Sequence, residues 1–387
     1  MMPSLCHPVS GRPLTPDTVH SLAGEGERFP VLDGIAFLRP DRRALGAAAL
    51  DRLDAGDAMA AQSLLLADRD DHAPGPAPEA SACRAVAEGR ADTLRRAMDA
   101  LGYGPVSTYF AYRWSAPTFL AALGLLERYW QPPQPVIEIA CGLGQILREV
   151  AQAGGRAIGT DLVFSKLWLA RRFVVPPTVT LVCADAASPV LAPEPPATVI
   201  CHDALYFMVE KAATLAAMRR LAGRAGAVLV GHAHNACVDQ RGVGGTPLSP
   251  EGWAELMPDA LIFDDAAFAE AWAEGGGARP AAPETMRGAE ALALAEGQPA
   301  RAPCRLGRAG EGRRMQLNPL FVGCGGEMLH PVWPTEAIAR EYAAARYLRP
   351  ITRPSRELLD RAAAGEDSAE IDRLIRTRVL VDLPEAW

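Results

Sequence analysis

Val136-Ile137-Glu138-Ile139-Ala140-Cys141-Gly142-Leu143-Gly144-Gln145 is the stretch whose reading decides the fold. Its first half is a short apolar run around one acid, the pattern of a strand buried on both faces. Its second half is a glycine-containing turn that opens a helix predicted over 145–153, which Gly154-Gly155 stops. Small residues in such a turn let the backbone approach a ligand, and the amides at the helix start suit a polar or anionic group.

The same alternation continues outward. Residues 156–160 read as a second strand ending at Asp161, 165–173 as a helix, 179–184 and 197–201 as strands, 210–222 as a helix and 227–230 as a strand. Strands that are continuous apolar runs between helices predict an open, mostly parallel α/β sheet covered on both faces, a Rossmann-like core. Upstream, Ala73-Pro74-Gly75-Pro76-Ala77-Pro78 holds neither helix nor ladder and reads as a linker. Between it and the core, 81–129 has helical apolar spacing around an aromatic cluster, Tyr109, Phe110, Tyr112 and Trp114, expected either to anchor a helical lid or to close over a pocket.

Residues 1–72 begin with strand-like pieces, including a hairpin signal at Asp33-Gly34, and continue as a helical stretch over 42–67. Asp68-Arg69-Asp70-Asp71-His72 reads as a solvated helix end. Downstream, the Ala/Glu/Gly-rich 266–296 suggests a surface insertion or loosely packed helices; 313–322 suggests a late strand, and 335–347 and 355–364 suggest helices. The expected organisation is a small N-terminal domain (1–72), linker and lid (73–130), cofactor core (131–245) and a C-terminal substrate or accessory region (246–387).

Composition narrows the function. With 39 Lys and Arg against 46 Asp and Glu, a net charge of −7 gives no global attraction to a phosphate backbone. Eight scattered cysteines without a CxxC pair fit neither a zinc site nor a secreted disulfide framework, and no apolar run is long enough to span a membrane. The expectation is a cytoplasmic protein with a small-molecule substrate, no nucleic-acid or membrane partner, and room for a homodimer.

The acids at the strand ends carry the chemistry. Glu138 lies in the first strand, Asp161 ends the second, and Asp185 follows the third in Cys183-Ala184-Asp185-Ala186. A dinucleotide fingerprint needs a further Gly or Ala three residues after its second glycine; here that position is Leu147, or Gln145 in the alternative frame. Three acids without a phosphate cradle instead suit a ligand with an amine, a ribose and an adenine, which describes S-adenosyl-L-methionine.

Over residues 131–235 the chain resembles the class I S-adenosylmethionine-dependent methyltransferases: Glu138 to Gly144, Asp161, Ala184-Asp185, His202-Asp203 and the helix-turn-strand around Gly223 to Val230. The resemblance implies that Glu138, Ala140, Gly142 and Gly144 border the methionine part of the cofactor. It further implies that Asp161 holds the ribose, Leu162 packs on the adenine, Asp185 or the Ala186 amide reads its amino group, and His202 borders the site. Ala140 departs from the family's usual glycine. The N-terminal Leu5-Cys6-His7-Pro8, Gly11, Leu14 and Phe29 to Leu38 resemble the small zinc-ribbon-like domain that activates tRNA and protein methyltransferases, with Cys6 as the one cysteine and hence a metal-free form.

Substrate is expected outside the carboxyl ends of the strands. Candidates for proton transfer there are His202, Asp203, Tyr206, His232 and His234, histidine being the natural base near neutral pH. Tyr109, Tyr112, Trp114 and Asn235 are candidates for substrate contact. No metal is expected, because no carboxylate or cysteine stands at ligand spacing from His232 and His234. The reading is a methyltransferase acting on oxygen or nitrogen of a small or mid-sized molecule; a tRNA or protein methyltransferase and a non-catalytic cofactor-binding protein are the alternatives.

Overall fold

A computed structural model describes the chain except residues 1–3, 70–75, 195, 240–243, 303, 311, 324–326 and 344. Its centre is one eleven-stranded sheet. In chain order the strands are β1 (Thr15–Thr18), β2 (Ser21–Gly24), β3 (Glu27–Leu32), β4 (Ile35–Phe37), β5 (Val136–Ile139), β6 (Ala157–Asp161), β7 (Thr180–Cys183), β8 (Thr198–His202), β9 (Ala227–His234), β10 (Leu261–Asp264) and β11 (Ala291–Glu296). In space they run β1-β2-β3-β4-β7-β6-β5-β8-β9-β11-β10, with the six strands from β4 to β9 parallel to their neighbours and antiparallel flanks on both sides. The order reverses between β5 and β8, so the crevice above their carboxyl ends is the switch point at which such sheets bind ligands.

The helices are α1 (Arg43–Asp54), α2 (Ala58–Leu66), α3 (Ala80–Ala87), α4 (Leu94–Ala100), α5 (Pro105–Tyr112), α6 (Pro117–Tyr129), α7 (Gln145–Gln152), α8 (Phe164–Leu169), α9 (Lys211–Ala222), α10 (Pro250–Leu256), α11 (Asp265–Glu274) and α12 (Glu336–Glu341), followed by Arg356–Ala363 and Ala369–Arg376. Alternation along the strands divides the core into two layers. Val136 packs with Phe119, Leu126, Leu147 and Phe268 on one face, whereas Ile137 and Ile139 pack with Leu215, Met218 and Trp253 on the other.

Three expectations change. Residues 266–296 are no loose insertion: α11 packs on α6, and β11 is a buried strand between β9 and β10. Its Ala-Leu-Ala-Leu-Ala sequence sends Leu292 and Leu294 to one layer and Ala293 and Ala295 to the other. Small residues there, and Gly124 in α6, permit close approach, since a Cβ at Gly124 would lie 3.1 Å from the Phe268 carbonyl oxygen. The late strand over 313–322 divides into Met315–Leu317, paired with Leu380–Asp382, and Phe321–Val322, both outside the central sheet. Asp68 is buried rather than solvated: its carboxylate accepts from Arg39 at 3.0 Å and Arg42 at 3.1 Å. Asp70 to His72 and the first half of the proline-rich linker, Ala73 to Gly75, lie outside the described residues.

The N-terminal strands join the central sheet directly, β4 pairing with β7 through Ala36 and Val182. Among the described residues no helix is long and apolar enough to cross a membrane.

Candidate active site

Above the switch point lies a cavity of about 1560 Å³ that runs from the ends of β5, β6 and β7 past β8 and β9 to α12. Its first end is built by the turn after β5. Ala140, Gly142 and Gly144 all have left-handed backbone, with φ of 58°, 55° and 69°. Asp161 closes this turn, its Oδ2 accepting from the Gly142 amide and its Oδ1 from the Val163 amide, both at 2.8 Å. Glu138 is buried on the cavity wall with Oε2 lacking a hydrogen-bond partner, and burial pushes its carboxyl well above the usual carboxylate range. Leu162, Asp185 and Ala186 line the far side; the Asp185 carboxylate accepts from the Ala187 amide at 2.8 Å. The Leu162 carbonyl accepts from Arg39 at 2.8 Å, and Arg39 is itself held by Asp68.

Lid residues form the roof. Gln145 Nε2 donates to the Phe110 carbonyl, and the Phe110 ring lies where a Cβ on Gly142 would touch it at 3.4 Å. Tyr103 and Ser165, both on the cavity wall, bond through their hydroxyls at 2.8 Å.

The second end is organised around Asp203. Tyr109 Oη donates to its Oδ2 at 2.6 Å, Arg113 Nη1 to the same oxygen at 2.9 Å, and Tyr206 Oη to Oδ1 at 2.9 Å. Burial opposes the charge on Asp203, but Arg113 and the neighbouring histidines hold its carboxyl below the ordinary range. These bonds occupy the carboxylate and tie the lid to the β8 end, so Asp203 is a fastening point rather than a free base.

Two histidines beside it are driven in opposite directions. The register of β9 against β11 passes from Val230–Leu294 to Ala233–Leu292, an extra residue on β9 that forms a bulge at Gly231-His232. The bulge gives His232 a φ of 50° and brings its Nδ1 to 2.8 Å from Asp265 Oδ2 at the start of α11, while Asp265 Oδ1 accepts the His232 amide. Burial disfavours the charged ring, yet Asp265 outweighs it and raises the His232 pKa to about 9. His202 sits across from it, ring centroids 6.3 Å apart, 4% exposed, with neither ring nitrogen hydrogen-bonded; burial lowers its pKa to about 4. Its ring rests on Gly231, where a Cβ would come within 2.2 Å of Nδ1. His234 completes the group, 4.8 Å from the His232 ring and 4.4 Å from that of Tyr206.

Asp203, His232 and His234 also bring potential metal-ligand atoms within 4.8 Å of one another. Both Asp203 oxygens are already engaged, by Tyr109 and Arg113 on Oδ2 and by Tyr206 on Oδ1.

The cavity thus gathers Glu138, Ala140, Gly142, Asp161, Leu162, Asp185, Ala186, His202, Asp203, Tyr206, His232, His234 and Tyr109. It does not gather four others. Gly144 faces away, packing on Val175 at the start of α7. Trp114 is a core residue against Phe119, and Tyr112 stacks edge-on to Trp387 at 5.3 Å. Asn235 is buried, its amide donating to the Met286, Arg287 and Ala289 carbonyls, so it fastens a loop. Tyr112 is the last residue of α5 and meets Trp387 of the C-terminal segment. Asp265, Arg113, Glu341 and Tyr342 were not singled out in the sequence. The Asp264-Asp265 pair before an apolar run signals a helix start, but its distance from His232 along the chain hides the pairing.

Residues 136–226 match the family model described as a methyltransferase domain. Among solved structures, the chain is similar to phosphoethanolamine N-methyltransferase 2 from Haemonchus contortus in complex with S-adenosyl-L-methionine (15% identity, TM-score 0.36), over 54% of this chain and only 60% of that one. It is similar also to the complex of the Haloferax volcanii Trm112 methyltransferase activator and a putative methyltransferase (16%, TM-score 0.37, 52% and 96% covered). A third is an S-adenosylmethionine-dependent methyltransferase from Anabaena variabilis (19%, TM-score 0.32, 47% and 84% covered). Among curated proteins none matches the sequence. The chain carries a class I, Rossmann-like methyltransferase domain.

Proposed function

We propose that this protein is an S-adenosylmethionine-dependent methyltransferase that methylates oxygen or nitrogen of a small or mid-sized molecule held between the β8 and β9 ends, the α5 lid and α12. The observation that carries the reading is the enclosed cavity itself, which continues from the acid-bearing strand ends to the paired histidines. A cavity of that volume exceeds what one nucleoside-sized ligand fills.

The residues present fit the cofactor. Glu138, buried with Oε2 lacking a donor, suits a ligand that brings its own positive charge, as the methionine ammonium and the sulfonium do. Each Asp161 oxygen keeps a lone pair beyond its backbone bond and would accept a ribose hydroxyl, while Leu162, Asp185 and Ala186 would flank the adenine. When bound, the cofactor supplies an activated methyl group. The chain's own work is alignment, exclusion of water by the Phe110–Tyr109–Arg113 roof, and removal of a proton from the acceptor. For the last task we assign His202 as base and the His232–Asp265 pair as a fixed imidazolium, since their environments push the two rings apart in the way that separates acid from base.

Titration calorimetry with S-adenosylmethionine tests the cofactor assignment. Asp161→Ala is expected to abolish detectable binding, and unchanged affinity overturns it. His202→Ala is expected to lower turnover while cofactor affinity stays within twofold; full activity places the base elsewhere.

A further inference from the structure

We infer that the acceptor is a basic amine, bound as its ammonium form among aromatic rings and delivered to the unpartnered His202. This deepens the proposed function and rests on it. The acceptor end of the cavity is lined by Asp203, Asp264, Asp265, Glu270 and Glu341; the cationic side chains set against them there, among the described residues, are Arg113, Arg340 and His232. Arg113 is matched to Asp203 and His232 to Asp265, so these pairs leave an excess of negative charge. A carboxylate or phosphate acceptor would enter against that charge, whereas an ammonium is attracted by it.

The acids converge on one place. Glu341, on α12, interacts electrostatically with Asp203, with His232 and with Glu290, and Tyr206 and Tyr342 are both coupled to Asp203, Arg113 and Glu341. Tyr206, Tyr342 and Tyr347 line the same space, and aromatic faces beside carboxylates are a recurring environment for ammonium groups. Burial raises the Glu341 carboxyl, the direction expected of an acid that has not yet met its counter-charge.

An acid cluster alone does not define a site; His202 supplies the independent sign. It is 4% exposed on the cavity wall and makes no hydrogen bond through either ring nitrogen. Leaving a buried polar ring without a partner is costly, and a ligand donor offsets that cost on arrival. An ammonium, with donors only, satisfies the acceptor nitrogen of the neutral imidazole; a hydroxyl can do the same, whereas a carboxylate cannot, so the surrounding acids make the choice between amine and alcohol.

The step balances. The ammonium gives one proton to His202, freeing its lone pair; the nitrogen–carbon bond forms as the sulfur–carbon bond breaks. The sulfonium becomes a neutral thioether, the product leaves as a methylated ammonium, and His202 returns its proton to solvent.

The test uses three probes of one shape, 2-phenylethylamine, 2-phenylethanol and phenylacetate, titrated by ligand-observed NMR at pH 7 into full-length protein saturated with S-adenosylhomocysteine. The amine is expected to bind at least tenfold more tightly than the other two. Glu341→Gln is expected to lose most of that preference with alcohol affinity unchanged, and Glu341→Lys to reverse it toward phenylacetate. Equal, reversed or undetectable amine binding overturns the inference, as does an unchanged preference in both variants. Calorimetric binding of S-adenosylhomocysteine is measured first on each protein: if it binds and the amine is not preferred, only the acceptor class fails, whereas no binding at all overturns the cofactor reading beneath it.

Discussion

Replacing Asp265 with asparagine should make the stability of the protein depend on pH in a particular direction. Asp265 holds His232 at about 9 against an ordinary 6.5, through a 2.8 Å contact in a setting where the two side chains are 6% and 14% exposed. At about 1.4 kcal/mol per unit this difference corresponds to roughly 3 kcal/mol. The folded pKa is the raised one, so the contribution is fully present below pH 6.5 and disappears as pH rises through 9. Asparagine still accepts the His232 amide bond but cannot pair with the imidazolium. Urea unfolding of the two proteins should therefore differ by about 3 kcal/mol at pH 5.5 and by much less at pH 9.5, with terms common to both cancelling. In the same pair, the His232 ring resonances should titrate near 9 in the parent and at or below 6.5 in the variant. A stability gap that is flat with pH, or that widens toward pH 9.5, refutes the charged pair.

Other consequences follow from single contacts. Arg39→Met leaves Asp68 buried beside Arg42 alone and removes the donor to the Leu162 carbonyl. Unfolding should show a loss of about 3–5 kcal/mol, and calorimetry a weakened S-adenosylmethionine affinity; unchanged affinity would separate the N-terminal segment from the cofactor site. Ala140→Gly relieves a left-handed alanine at φ 58° and should stabilise the fold by up to about 1 kcal/mol, read as a raised midpoint in thermal melts. Gly231→Ala puts a Cβ into the His202 ring and should lower turnover more than it lowers S-adenosylhomocysteine affinity; equal losses in both would mean that the whole site has shifted.

The parallel core and the acids at its strand ends were legible in the sequence alone. Those elements are local: a buried strand, a glycine turn and a helix start follow from neighbouring residues, and an acid at a strand's carboxyl end stays at the crevice wherever the strand sits in the sheet. Even the departure at Ala140 was visible, although its left-handed backbone was not. The reading weakened wherever chemistry depended on residues distant in the chain. Ala291–Glu296 has an alanine-rich sequence with little strand propensity, and it is a strand because the groove between β9 and β10 needs one with a small face.

The acceptor end shows the same division. His202 and His232 were identifiable as histidines at adjacent strand ends, but nothing in their spacing distinguishes a ring lowered to about 4 from one raised to about 9. That difference comes from a bulge in β9 and from Asp265 at the start of α11. Tyr109 and Trp114 looked alike in an aromatic cluster, yet one bonds Asp203 and the other is buried in the core, because α5 ends at Tyr112 and Trp114 lies in the following turn, packed on Phe119 of α6. Composition indicated an acidic protein; only the tertiary structure decided that the acids of β8, β10, α11 and α12 converge on one cavity, since charge along a chain says nothing about which side chains share a low-dielectric space.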